Sequence, residues 1–167
     1  KWDNCIMATG SVSALDQDNW QLITSTSPSA QTSFTLASGI SGYKKLMLSF
    51  SFEQSVDNVP AKMQFNSDTN ANNYGVTAVM YYVYAQWQSS NGAYVPLHGY
   101  QSEGAIRTVG YITIDNANKD IPKVINGGGG KASVINGVYL GNAITSIVIS
   151  MASGNLTGSF NLYGIAG

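Results

Sequence analysis

Across its 167 residues the chain has a net charge of −1, with charged side chains at only 10%, well under the roughly 25% of an average soluble domain. The eight Lys and Arg residues are scattered, which excludes the basic footprint of a nucleic-acid binder and the polybasic anchor of a membrane-surface protein. No apolar run approaches the length of a bilayer span, so membrane insertion is not expected.

Residues 1–19 are rich in Ser, Asp and Asn and show neither a strand pattern nor a charged-then-apolar leader. They read as an arm or linker leading in from a preceding segment, ahead of one domain over residues 20–167. Trp20–Ile23 and Ser33–Leu36 are short predicted strands. The strongest signal follows at Lys45–Phe52, where Leu46, Leu48, Phe50 and Phe52 alternate with polar residues, the period of a strand with one buried face. Ala61–Phe65 is another strand, and Asn66-Ser67-Asp68-Thr69-Asn70 is turn material. Val76–Tyr84 is apolar on both faces, which predicts a central strand covered on both sides.

Tyr94–Leu97, Ile106–Ile114 and Pro122–Ile125 are weaker strands. Gly127–Gly130 reads as a flexible surface loop, because four glycines offer nothing to pack. Val134–Leu140 follows. The last two segments, Ile144–Met151 and Ser159–Ile165, flank Gly154-Asn155 and read as a hairpin. In its second strand Phe160 and Leu162 would face the core, and Tyr163 and Ile165 the other side. Many short strands separated by Ser-Gly and Asn-Gly turns predict an all-β, antiparallel β-sandwich, jelly-roll-like in its connections.

Little in the sequence supports catalysis. His98 is the only histidine, so any Ser-His-Asp mechanism must use it as base; beside a turn, with no Gly-x-Ser-x-Gly elbow, it reads as an ordinary hydrogen-bonded group. Cys5 stands alone, which rules out an internal disulfide framework and, with one histidine, leaves too few ligands for zinc. Asn66–Asn72 spaces oxygen-bearing side chains as calcium loops do, yet Asp68 is its only carboxylate; a turn bonding its own backbone is the better reading. The nine acids (Asp3, Asp16, Asp18, Glu53, Asp57, Asp68, Glu103, Asp115, Asp120) fall mostly in loops or at strand ends, and nothing favours a glycosidase pair among them. Lys131-Ala132 after the glycine run lacks the ending of a phosphate loop. No cofactor, no metal and no enzymatic activity is expected. An aromatic group, Trp87, Tyr84, Tyr94 and Tyr100, is the candidate ligand-binding set, a sugar-stacking platform with Trp87 the most exposed ring. Against it stands the reading that these rings fill the core or a subunit contact.

The segment from Asn142 to Ile165, closing on Leu162-Tyr163-Gly164-Ile165, resembles the ending of a group of tailed-bacteriophage virion proteins. Phe34-Thr35-Leu36, Leu46-Met47-Leu48, Met63–Thr69 with Asn73-Tyr74, and Lys123 stand in matching order. The resemblance spans roughly residues 20–165 and is loose outside the C-terminal segment. The Gly127–Gly130 run and the polar N-terminal stretch depart from it. It implies a structural or adhesive protein on the particle surface: a head fibre, capsid decoration or tail fibre. Its partners would be other virion proteins and copies of itself, a homotrimer being the usual symmetry of such appendages. It carries no catalytic residues. A carbohydrate-binding module recognising a host glycan is the alternative, and a β-sandwich polysaccharide hydrolase the third reading.

Overall fold

The computed structural model describes residues 19–57, 59–80, 86–90, 92–98, 107–130 and 133–167, at Met80 and 86–90 by the backbone alone. Among them are twelve strands: β1 (Gln21–Thr26), β2 (Ser33–Ser38), β3 (Tyr43–Gln54), β4 (Lys62–Phe65), β5 (Tyr74–Met80), β6 (Gln86–Ser90), β7 (Val95–Pro96), β8 (Thr108–Asp115), β9 (Lys123–Gly129), β10 (Ser133–Tyr139), β11 (Ser146–Ser150) and β12 (Leu156–Ala166). They form an eight-stranded sheet, β1-β12-β3-β8-β9-β10-β5-β6, and a four-stranded one, β2-β11-β4-β7. Every pairing is antiparallel. The protein is therefore an all-β sandwich. Most connections cross between the sheets, while β8, β9 and β10 run as a meander inside the larger one.

The core lies between the sheets because the period-two pattern gives each strand one apolar face. From β3 come Leu46, Leu48, Phe50 and Phe52; the smaller sheet answers with Met63, Phe65, Ile147 and Ile149, and all of these are buried. Phe160 of β12 is the hinge of the packing, with ring centroids 5.1 Å from Phe34 and 5.4 Å from Phe52. A second aromatic node joins Phe65, Tyr74 and Tyr139, Tyr139 lying 4.9 Å from each of the other two rings.

Three expectations are corrected. First, the C-terminal segments are not a hairpin. β11 pairs with β2 and β4, whereas β12 pairs with β1 and β3, so the turn at Gly154-Asn155 carries the chain from one sheet to the other. That corner is fastened to the end of β3 and to the approach to β2. Ser55 and Asn155 exchange hydrogen bonds, and Thr32 Oγ1 donates to Asn155 Oδ1. Alternation reveals which face of a strand is buried but not which sheet it joins.

Second, the glycine run is no loop. Gly127, Gly128 and Gly129 lie in β9, bonded between β8 and β10; only Gly130, at φ +66°, makes the turn. Across the inner face Gly129 stands opposite Gly110, and Gly110 opposite Phe50. A methyl on either glycine would lie within 2.8 Å of Phe50 Cζ, and one on Gly129 would also run into the Leu97 carbonyl oxygen. Gly129 is glycine because the Phe50 ring and the Leu97 backbone occupy the space a side chain would need, while a side chain on Gly127 would meet the Tyr111 carbonyl oxygen and one on Gly128 the Ser133 carbonyl oxygen.

Third, β5 is not covered on both faces over its described length. Val76 and Ala78 are buried, while Thr77 and Val79 on the other face are half-buried. Residues 81–84 of that expected strand, and the arm up to residue 18, lie outside the described residues. β6 was not foreseen, since Gln86–Ser90 is largely polar; pairing with β5 makes it a strand.

Candidate functional site

Of the aromatic set, Tyr84 and Tyr100 lie outside the described residues. Trp87 occupies the register position opposite Val79 in β6, the last strand of the larger sheet. Tyr94 is elsewhere, just before β7 at the edge of the smaller sheet, half-buried, with Lys62 Nζ 4.5 Å from its ring centroid. Trp87 and Tyr94 thus belong to strand systems of different sheets.

His98 is buried against Phe52, at 5.9 Å between centroids, and its Nε2 accepts the Ala61 amide at 3.1 Å. That acceptor role fixes the neutral tautomer with its proton on Nδ1. The ring ties the β7 segment to the start of β4.

Asn66 and Ser67 both have positive φ, and Asp68 N donates back to Phe65 O at 2.8 Å, the geometry of a type I′ turn. Asn66 Oδ1 accepts from Thr145 and Ser146, and its Nδ2 donates to Ala143 O. Asp68 Oδ1 accepts from Asn70 N at 2.8 Å; its Oδ2 accepts from Asn73 Nδ2 at 2.8 Å and Tyr139 Oη at 3.0 Å. Partial burial opposes ionisation of Asp68, but these three bonds outweigh it and hold the carboxyl below the ordinary 3.8. The alternating oxygens of this loop serve its own backbone and the two neighbouring strands. Burial pushes the Tyr74 hydroxyl up to about 12, despite the Phe65 amide that bonds it, and raises Tyr139 further still with help from the Asp68 carboxylate.

Lys123 completes this corner. Its side chain is buried, its ammonium donates to Gly141 O and lies 5.6 Å from the Tyr139 ring centroid. Burial lowers its pKa, which Asp120 partly restores. The other described acids also have local contacts: Glu53 pairs with Arg107 at 2.9 Å, Asp115 with Lys45 at 3.0 Å, and Asp120 accepts the Ala143 amide. Among the described residues no group of three or more His, Cys, Asp or Glu side chains could share a metal ion.

The outer face of the larger sheet is different in kind. Across β8, β9, β10 and β5 the register aligns Thr113, Asn126, Asn136 and Thr77 in one row. Beside it runs Tyr111, Gly128, Val134 and Val79, and on the other side Asp115, Val124, Val138 and Gly75. Tyr111 is 55% exposed, and Val109, Val124 and Val134 are exposed as well. Gly128 stands between Tyr111 and Val134 in its row, and a side chain there would meet the Ser133 carbonyl oxygen.

Reading the sequence for aromatic clusters missed this face, because Tyr111, Asn126 and Asn136 are far apart along the chain. One signal could have found it. Val-Ile-Asn-Gly occurs at 124–127 and again at 134–137, and antiparallel pairing of the two copies sets Asn126 opposite Asn136. No protein-family model matches the chain, and no curated protein matches it either.

Proposed function

We propose that the chain is a structural and adhesive domain of a surface protein of a tailed-bacteriophage particle, acting through contacts with other virion proteins, with further copies of itself and with the host surface. The observation that carries the contact reading is the outer face of the larger sheet. It is broad and regular, uncharged in its central rows, and sets exposed Tyr111 and valines among amides and hydroxyls. An exposed patch of this make-up suits recognition by surface fit. The virion assignment rests on the resemblance of the C-terminal segment. That segment forms β11, paired between β2 and β4, and β12, which pairs with β3 along its length and with β1 from Phe160 to Gly164, so its residues are central to the fold.

The catalytic alternatives have less to build on. His98 is buried in a backbone contact, and Glu53, Asp68, Asp115 and Asp120 each have a local partner. The test is direct. Particles from lysates of the source, banded by density and probed with an antibody against the chain, should carry it at constant ratio to the major capsid protein. Banded particles without the chain would refute the proposal.

A further inference from the structure

We infer that the strip Tyr111, Asn126, Gly128, Asn136 and Thr77 on the outer face of β8, β9, β10 and β5 binds an uncharged oligosaccharide laid across the strands. The inference rests on the contact reading of this face and names its partner. Four features of the strip point to a sugar. Its middle row is wholly of hydroxyls and amides; Thr113 Oγ1 donates to the Asn126 backbone carbonyl, while the side-chain amides of Asn126 and Asn136, both exposed, have no hydrogen-bond partner among the described residues. Each amide offers a donor and an acceptor, as a sugar hydroxyl also does.

Next to that row, Tyr111 presents an exposed ring, and its cross-strand neighbour on β9 is Gly128, which carries no side chain. A pyranose has an apolar C–H face and a polar rim, and an aromatic ring set against amides is complementary to both. The strip also lacks charge. Its one bordering acid, Asp115, is held by Lys45 at 3.0 Å, and Lys123 of β9 is buried on the inner face. That argues against sulfated, phosphorylated or carboxylated glycans. Finally, a protein partner covering the face would bury the Asn126 and Asn136 amides between apolar rows, at a cost unless it supplied matched groups. At about 4.8 Å between strands, the row from β8 to β5 spans roughly 14 Å, room for a short oligosaccharide.

The test is an array of neutral and acidic glycans probed with the 167-residue chain, followed by calorimetry on the best neutral ligand. Tyr111→Ala should weaken that binding about tenfold or more, and Asn136→Ala about three- to tenfold. Both side chains are exposed, so the urea midpoints of both variants should stay at the native value. Binding to acidic glycans only, no glycan retained, or neutral binding untouched by both variants would overturn the inference. So would an oligomer by light scattering that Tyr111→Ala splits, which would give the face to a second copy. Loss of the sugar with the chain still on banded particles leaves the virion reading standing; the converse result removes only that reading.

Discussion

The sharpest test of the packing is Gly129→Ala in β9. The methyl group would lie 2.8 Å from Phe50 Cζ and would run into the Leu97 carbonyl oxygen. Phe50 is locked in a cluster with Phe52 and Phe160, at 5.7 Å and 6.4 Å between centroids, and the Leu97 backbone is held by Ala61, whose carbonyl accepts its amide. Neither obstacle yields freely, so overpacking should cost about 1–3 kcal/mol. Reduced freedom of the unfolded chain gives back about 0.4–1 kcal/mol. Taken at the centres of these ranges, the net loss is about 1.3 kcal/mol, which corresponds to a Tm lower by roughly 3–5 °C in a chain of this size. Urea unfolding should show a lower midpoint at unchanged slope. In a Phe50→Leu background one obstacle shrinks while the carbonyl remains, so Gly129→Ala should cost about 0.5–1 kcal/mol less there. A flexible glycine loop predicts the opposite sign. An unchanged or raised Tm for Gly129→Ala would refute the account of this strand.

Further outcomes follow from the core and the Asp68 corner. Phe160→Ala, which empties the centre of the aromatic cluster, should cost about 3–5 kcal/mol in urea unfolding; a loss under 1 kcal/mol on the same ~3–5 scale would mean the cluster is loosely packed. The Asp68 carboxyl is lowered by folding from 3.8, so its contribution is present above that pH and lost as pH falls through the folded value. Asp68→Asn should therefore flatten the fall of Tm below pH 3.8, and an acid limb identical to the native one speaks against the network. Tyr74, raised from 10.0 to about 12, contributes stability that is present below pH 10 and lost as pH rises toward 12. Tyr74→Phe should make the alkaline limb of Tm shallower and delete a high-pH step from the tyrosinate absorbance titration. His98→Leu keeps the volume but strands the Ala61 amide, costing about 1–3 kcal/mol; a neutral result would show that the amide finds another acceptor.

Much of the fold was legible strand by strand. The alternation in Lys45–Phe52 placed Leu46, Leu48, Phe50 and Phe52 inward, and the same reasoning found Ile147, Ile149, Phe160 and Leu162. It could not place β11 and β12 in different sheets, because a one-faced strand looks the same in either. The candidate face was illegible for a related reason. Outward-facing residues show no burial pattern, and Tyr111, Asn126 and Asn136 become neighbours only through the β8–β9–β10 register. The turn at Asn66–Asp68 was readable as local chemistry, since Asn supplies both positive φ and side-chain bonds to nearby backbone. Its link to Tyr139, 71 residues further on, was not.

By itself the sequence determined the class of fold, the inward residues of most strands and the scarcity of groups for catalysis, all of which follow from local pattern and composition. Only the tertiary structure decided that Gly127–Gly129 is a strand. A glycine's place depends on what approaches it, and at Gly129 that is the Phe50 ring and the Leu97 carbonyl, both far away in the chain. It also decided which polar and aromatic side chains stand together on the outer face, because strand register is set by the pairing of whole sheets and not by any one segment.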